Sequence, residues 1–456
     1  MRRPAILMVL GALVLAGAAF VYLSDDDGGS ESAAVTACVF PPCRAAENPV
    51  PVRGYENPSI AVNPSDPTHM IVMTNDLIGA RCSWHVTFNR GQEWKDNYFQ
   101  IPPGYTQCGL ESAGHLSSGN VTFGPSGTVY ATISSAGGLS GDVAGEKESV
   151  LLYRSTDGGR SFAQATVAAK PPSPEIAWVR PSVVAVPGPG GRDQLLLSMW
   201  ECKPDPRNNQ RFCDGGRFAR SDDGGNTFTT ATVVTPPPGG NSPSQAAKGK
   251  DGAFYMLFLR RLVAGGTTEL HLSKSVDGGA SFVTQQIDVQ PAIGNERDSA
   301  KLIADPASGA LYTVFTDSRT GRPQLFFRRS MDNGASWEQA VILGPNQNSP
   351  SSNPQISLAP NGRIDVVFYS ARAAKSEDVY WMYSADGGGR FIVRQLNDVP
   401  INRELGYRDE VGGFYPPGVA STVDGAVFAW SDTTFGTDFD ENTQDINVRR
   451  TELADP

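Results

Sequence analysis

Seven short, very apolar segments of this chain each end on a polar residue: Asn75, Ser134, Glu201, Arg260, Asp317, Ser370 and Asp432. Three of the seven are carboxylates. A second polar set precedes these segments: Glu56, Arg180, Glu296, Arg297, Asp298, Arg408, Asp409 and Glu410, with Tyr415 close behind. Arg319 stands two positions after Asp317. Gathered on one face, such residues would hold a polar ligand, because guanidinium groups pair with carboxylates and carboxylates accept from hydroxyls. They read equally as the solvated ends of strands, which are polar on many folds.

Other chemistry is thinner. Asp438, Asp440, Glu441, Asn442 and Asp445 make an oxygen-rich stretch that could take Ca²⁺. The spacing is not that of an EF-hand, so an acidic solvated loop is the preferred reading and no metal site is assigned. His69, His85, His115 and His271 are scattered and give no ligand pair. The six cysteines allow fifteen connectivities. Locality favours Cys38 with Cys43, Cys82 with Cys108 and Cys202 with Cys213, and no spacing suggests zinc.

The elements that must position these groups repeat. Ser330 to Trp337 reads SMDNGASW, and related stretches begin at Thr87, Ser155, Ser221, Ser275 and Ser384. The pattern is Ser/Thr, any residue, Asp/Asn, any residue, Gly, two residues, then Trp or Phe. Its starts are 68, 66, 54, 55 and 54 residues apart, which is a repeat architecture. The third-position residues are Asn89, Asp157, Asp223, Asp277, Asp332 and Asp386. A short carboxylate there can accept backbone N–H bonds within its own turn, and Gly supplies a positive φ two residues later. The aromatic then starts the next strand and can pack under the turn.

Each apolar segment is rich in β-branched and aromatic residues and apolar on both faces, as for a strand sandwiched between sheets. HMIVMTN, TVYATIS, QLLLSMWE, AFYMLFLR, ALYTVFTD, IDVVFYS and AVFAWSD make seven, one more than the turns. NVRRTEL aligns with FFRRSMD, so the chain ends where a seventh turn would begin. The reading is an all-β, seven-bladed β-propeller of four-stranded blades over residues 55–453. Its last blade should be built from Tyr415 to Leu453, with an outer strand donated from between Val35 and Gly54.

The repeated turn resembles the Asp-box, or BNR repeat, of sialidases and many other propellers. Six blades is the rival count, because sialidases have six. The resemblance implies that the turns are structural and face away from the active site. It also implies three arginines for a substrate carboxylate, a Tyr/Glu nucleophile pair and an Asp acid/base. Tyr407, Arg408 and Glu410 have matching residue types, as do Tyr415 and Asp317. The family's first arginine lies in a Phe/Tyr-Arg-Ile-Pro motif, and the nearest match here is Tyr55-Glu56-Asn57-Pro58. An acid occupies the arginine position, and Arg180 in VRPSVV echoes the motif in another blade. Sialidase turnover is therefore not expected, and the rim should take neutral or cationic groups as readily as anionic ones.

Residues 1–23 place two arginines before an uncharged apolar run, residues 4–23, that nearly spans a bilayer core. An uncleaved anchor is expected, with a signal peptide cleaved near Ala16-Gly17-Ala18 as rival. The rest would then be extracytoplasmic, membrane-anchored or secreted, where disulfides persist. Residues 24–54 are acidic and poor in apolar side chains, as in a flexible linker. The net charge of −10 with no basic block argues against nucleic acid. Three readings follow: a propeller whose rim binds a polar ligand, with glycan the favoured class; an exo-sialidase-type glycoside hydrolase; and a protein-binding or assembly scaffold.

Overall fold

The computed structural model describes residues 43–46, 55–76, 81–103, 105, 119–135, 149–173, 175–204, 211–234, 243–262, 267–291, 300–345, 349–405, 416–433 and 444–453. These form seven antiparallel sheets. Blade 1 is Tyr55–Asn63, Asp66–Asp76, Arg81–Thr87 and Lys95–Tyr98. Blade 2 is Val121–Phe123, Val129–Ser135, Ser149–Ser155 and Thr166–Ala169. Blade 3 is Ala177–Pro187, Asp193–Pro204, Arg211–Ser221 and Thr232–Val233. Blade 4 is Ala247–Lys248, Phe254–Leu262, Thr267–Ser275 and Val283–Pro291. Blade 5 is Ala300–Ala304, Leu311–Asp317, Gln324–Ser330 and Val341–Leu343. Blade 6 is Ser351–Leu358, Ile364–Ala373, Ser376–Ser384 and Ile392–Gln395, with Ile401–Asn402 also pairing to its third strand.

Blade 7 closes the ring. Its strands Gly418–Ser421, Gly425–Asp432 and Asp445–Glu452 are completed by Cys43–Ala46, in the register Cys43 with Val448 and Ala46 with Ile446. The outer strand thus comes from the stretch that the sequence marks out for it, and it covers an edge that would otherwise be unpaired. The apolar run of residues 4–23 lies outside the described residues. Among the described residues no helix is long and apolar enough to cross a membrane.

The core is divided by blade pair. Each of the seven neighbouring pairs shares one apolar cluster, such as Ile71, Trp84 and Ile133 between blades 1 and 2, or Tyr369, Trp381 and Trp430 between blades 6 and 7. A second strand is therefore buried on both faces, and Leu311–Asp317 has no exposed residue. The outer strands are half in solvent: Lys95–Tyr98 is polar, while Val341 and Ile342 in blade 5 and Ile392 and Val393 in blade 6 stand exposed.

The repeated turns carry the bonds that their spacing predicts. In blade 2, Ser155 Oγ donates to Asp157 Oδ1 at 2.6 Å, and the Gly159 amide donates to Ser155 Oγ at 2.7 Å. The Ser161 amide and hydroxyl donate to Asp157 at 3.0 and 2.6 Å. Asp223, Asp277 and Asp332 repeat the set, and Asn89 accepts from Thr87 Oγ1 and the Glu93 amide. The aromatic departs from expectation. It packs on the preceding blade, Phe162 lying 4.8 Å from Trp84 and Phe391 5.0 Å from Phe327. That contact explains the glycine twice over. Gly388 has φ +87°, and a Cβ there would sit 2.5 Å from the Phe327 ring.

A donor from each blade also reaches a carbonyl of the next. The acceptors Gly158, Gly224, Gly278, Asn333 and Gly387 all hold the fourth position of a repeated turn. Their donors are His69 Nε2, Arg154 Nη1, Arg220 Nη1, Lys274 Nζ and Arg329 Nη1, at 2.6 to 3.3 Å. Blade 7 lacks the turn, so Arg363 of blade 6 donates instead to the Thr422 and Val423 carbonyls at 3.0 and 3.2 Å. Arg450 completes the ring on the Pro67 carbonyl of blade 1 at 2.9 Å.

Arg363 is almost fully buried and forks onto Asp365, Nη2 to Oδ2 at 2.9 Å and Nε to Oδ1 at 2.9 Å. Arg363→Ala would leave the Asp365 carboxylate buried with only Trp381 and Ser421 as donors. Denaturant unfolding should show a loss of about 3–5 kcal/mol, and an unchanged midpoint would contradict the latch. The turn carboxylates predict acid sensitivity. Burial would raise Asp157 and Asp223, but their hydrogen bonds hold both down to about 2, and those from Ser336 and Ser330 do the same for Asp332. Carboxyls depressed on folding stabilise above their ordinary range near 4, and that contribution is lost as pH falls through about 2. A triple Asp157→Asn, Asp223→Asn, Asp332→Asn variant should keep its turns, as Asn89 does, and lose less stability than the parent between pH 4 and 2. Equal losses would refute the assignment.

Candidate functional site

The innermost strands of the blades surround the central channel, which contains a cavity of about 480 Å³. Three of those strands share an irregularity at the end where the blade begins. Asn57, Arg180 and Asn353 have φ of +54°, +49° and +54°, and each precedes a proline. The ladder skips there, between Glu56 and Ser59, Val179 and Ser182, and Ser352 and Gln355. Proline offers no N–H to a ladder, so a bulge accommodates it. A left-handed non-glycine residue before proline is strained, at a cost on the order of 1–3 kcal/mol each. Asn57-Pro58-Ser59-Ile60, Arg180-Pro181-Ser182-Val183 and Asn353-Pro354-Gln355-Ile356 spell this out in the sequence. That three-fold motif is the signal in the sequence for the channel lining, and a single family motif does not contain it.

Arg180 lines the cavity and stacks on Trp200, its guanidinium carbon 4.8 Å from the ring centre. Trp200 Nε1 donates to the Pro243 carbonyl at 3.1 Å, which ties the ring to blade 4. Lys301, from blade 5, lines the same cavity. Burial, with the charge of Arg180, pushes its ammonium down to about 8. Ser59, Asn120, Ser182, Ser244, Gln245, Gln355 and Ser357 add hydroxyl and amide groups.

The polar strand ends differ from the sequence expectation of an open rim. Asp317 is fully buried and bonded to Arg319, whose Nη2 also reaches Asp288 at 3.1 Å. Burial raises its carboxyl above the ordinary range despite Arg319. Glu201 is buried and accepts from Arg217 Nε at 2.6 Å, Lys203 Nζ at 2.9 Å and Trp178 Nε1 at 3.1 Å. Asp432 is buried and accepts from Asn447. Arg260 stands 3.9 Å from Glu269. Glu56 is buried opposite Asn75 and is not among the residues lining the cavity, so it does not set the sign of charge there. For Glu201, Arg260, Asp317 and Asp432 the physical reason is common: the end of a second strand still lies between two blades, so a polar group there must be paired.

Of the expected set, the cavity therefore brings in Arg180, leaves Glu201, Arg260, Asp317, Arg319 and Asp432 in side-chain pairs on the blades, and leaves Glu56 buried in the first strand of blade 1. Glu296, Arg297, Asp298, Tyr407, Arg408, Asp409, Glu410 and Tyr415 lie outside the described residues. So do Asp438, Asp440, Glu441 and Asn442. Among the described residues no group of three or more His, Cys, Asp or Glu is placed to hold a metal ion. Cys202 and Cys213 form a disulfide between directly paired strand positions. Cys82 is disulfide-bonded, while Cys38 and Cys108 fall outside the described residues.

One further arrangement escaped the sequence reading of the histidines. His85 Nδ1 lies 2.6 Å from Asp96 Oδ1, and its Nε2 lies 3.1 Å from Thr74 Oγ1 and 3.3 Å from Ser83 Oγ. The residue types are those of a nucleophilic triad. Thr74, Ser83 and His85 are at most 1% exposed, so no substrate reaches the hydroxyls. The series binds the strands of blade 1 to one another.

Fold and cavity together define a seven-bladed β-propeller with a ligand-sized, polar-lined space on its axis. Solved structures resemble it over most of its length. A PL25 ulvan lyase, a polysaccharide lyase solved bound to -[GlcA(1-4)Rha3S]-, gives a TM-score of 0.52 at 12% identity, over 90% of this chain and 95% of its own. A protein of unknown function from Dyadobacter fermentans gives 0.46 at 12%, over 92% and 99%. The Penicillium chrysogenum alpha-L-arabinanase complexed with arabinobiose gives 0.39 at 13%, over 60% and 93%. At such identities the likeness is one of fold. No protein-family profile and no curated protein matches the sequence.

Glu201 supplies a test of the fastening role. Burial opposes its ionisation, yet the Arg217, Lys203 and Trp178 bonds hold it down to about 2. Its contribution is therefore complete above the ordinary glutamate range and is lost as pH falls toward 2. Glu201→Gln should cost about 1–3 kcal/mol at pH 7 and much less at pH 2.5. Loss of ligand binding with unchanged stability would instead make it a ligand contact.

Proposed function

We propose that this chain is an extracytoplasmic glycan-binding β-propeller that takes its ligand into the channel cavity and does not cleave it. The observation that carries the reading is the polar-lined cavity of about 480 Å³, built by the innermost strands and held open by strained, pre-proline residues. Its volume suits one or two sugar rings, and its hydroxyl and amide lining suits their hydroxyls. The fold of a polysaccharide lyase at TM-score 0.52 supports the ligand class. The Cys202–Cys213 disulfide supports an oxidising compartment.

The case against turnover is electrostatic. Glycoside hydrolysis of the two-carboxylate kind needs an Asp or Glu that reaches the substrate and changes protonation there. Glu201 and Asp317 are each buried and committed to a cation. The cavity lining contains no Asp or Glu among the described residues. An exo-sialidase-type hydrolase would need three convergent arginines, and Arg180 is the arginine in that lining.

The soluble chain from residue 43 onward should bind members of an immobilised glycan array. It should release no product from fluorogenic sialosides, other aryl glycosides or uronate polymers monitored for unsaturated ends. Turnover of any of these would refute the non-catalytic part. Absence of glycan binding would refute the whole and favour the scaffold reading.

A further inference from the structure

The channel holds a second space. A chamber of about 370 Å³ is walled by the innermost strands of blades 3 to 6 and the residues that flank them. Val184, Ile303 and Leu358, from blades 3, 5 and 6, line both this chamber and the polar cavity, as does Gln245, which leads into blade 4. The two spaces therefore adjoin. The chamber wall adds Val186, Ala246, Ala247, Leu302, Ala304 and Pro306, all apolar. We propose that the saccharide this propeller takes is amphiphilic, with its sugar in the polar cavity and an aliphatic aglycone in the chamber. The inference rests on the glycan-binding reading and deepens it.

Strand register separates the two linings along the axis. Ser182, Lys301 and Gln355 of the polar cavity pair with Ser198, Val314 and Val367. Val186, Ala247 and Ala304 of the chamber pair with Gln194, Tyr255 and Leu311, at the end of each second strand nearer the repeated turns. Leu311 itself pairs with Ser330, the first residue of a turn. On this side of the channel a ligand lying along the axis meets polar groups toward one end and aliphatic side chains toward the other.

The polar groups of the chamber do not compete for that occupant. Lys248 Nζ donates to Gln194 Oε1 at 2.8 Å and to the Pro187 carbonyl at 3.3 Å, which leaves its methylene stem to the wall. Lys250 is exposed, and no Asp or Glu lines the chamber among the described residues. Aliphatic side chains facing an open space are stabilised when an apolar group displaces water from them, and a sugar alone would leave these wet. An apolar cavity of about 150 Å³ already takes benzene, so this chamber has room for a chain of several carbons. The segment that precedes Cys43 reaches the propeller at the outer edge of blade 7, away from this wall. Continuity with the polar cavity makes the occupant an extension of the ligand held there.

Methyl and n-octyl β-D-glucosides, β-D-galactosides and β-D-maltosides are titrated calorimetrically into the soluble chain below their micellar concentrations, with 1-octanol alongside. Each buried methylene should raise affinity roughly fourfold. The octyl glycoside of at least one sugar should therefore bind at least about a hundredfold more tightly than its methyl counterpart, and more tightly than 1-octanol. Val186→Asp should weaken the octyl form at least tenfold without weakening the methyl form. Pro306→Asp changes an exposed position on the same wall, where folding is not at stake, and should act in the same direction.

Equal affinity for the methyl and octyl forms of every sugar that binds overturns the amphiphile and leaves glycan binding intact. So does a chain-length gain that both folded variants keep in full. Binding of 1-octanol as tight as that of the octyl glycosides, and lost in the variants, keeps the chamber as an apolar site but overturns the glycan reading on which the amphiphile rests. Binding of neither octanol nor any octyl glycoside overturns the chamber itself.

Discussion

A side-chain donor in one blade reaching a turn carbonyl in the next is the interaction on which the ring depends. Apolar faces between blades are adhesive but not directional, so they leave pitch and sliding poorly specified. A hydrogen bond from His69, Arg154, Arg220, Lys274 or Arg329 has a defined length and fixes both. It requires that the accepting carbonyl point at the preceding blade. The Asp side chain supplies that requirement by gathering the amides of its own turn. The second glycine supplies the other, by letting the turn approach until no Cβ would fit. One short motif thus organises its own blade and presents an acceptor to its neighbour. Where the motif is missing, at blade 7, Arg363 finds two loop carbonyls and brings Asp365 with it.

The stiffness of that face permits strain elsewhere in the channel. Asn57, Arg180 and Asn353 hold left-handed backbones before prolines, an arrangement that an isolated strand would relax. It persists because each strand is held by a second strand buried on both sides. The cavity wall is therefore held at three places by backbone constraint. The same face explains why the strand-end carboxylates became fastenings. Glu201 and Asp317 sit where two blades meet, and a charge there is tolerable only with its partner in place.

How much of this the sequence disclosed follows from distance along the chain. The turn's carboxylate and glycine lie close together in sequence, so their roles are legible directly, as are the apolar second strands and the blade count; the aromatic's partner lies on the preceding blade and is not. The pairing of Cys202 with Cys213 was legible for the same reason. Arg180 and Lys301 are remote in sequence and line one cavity only because the ring bends blades 3 and 5 toward one axis. Glu56 reads as the acid of the site because it holds the arginine position of the family motif, yet it lies before the bulge at Asn57 and is buried opposite Asn75. The tripled proline motif was present but short. Its meaning lies in a positive φ that composition does not reveal.

Closure of the ring and formation of the site are one event. The Tyr55 amide donates to the Gln444 carbonyl at 3.1 Å, and Gln444 Nε2 returns a bond to the Tyr55 carbonyl at 2.8 Å. Arg450 adds its bond to Pro67, and Cys43–Ala46 lies along Asp445–Glu452. These contacts join the two ends of the propeller, so each must overcome a large loop-closure entropy that local turns do not face. The cavity straddles that seam. Asn57, Ser59 and Ile60 line it from blade 1, Gly418 and Val419 from blade 7. Gly418 is glycine where a Cβ would lie 3.0 Å from Ile60, so the two blades approach as closely there as backbone allows. An open ring would keep most of its blade-to-blade clusters and every repeated turn, yet it would have no channel wall between blades 7 and 1. Any ligand that touched both sides would stabilise the closed form over the open one by mass action.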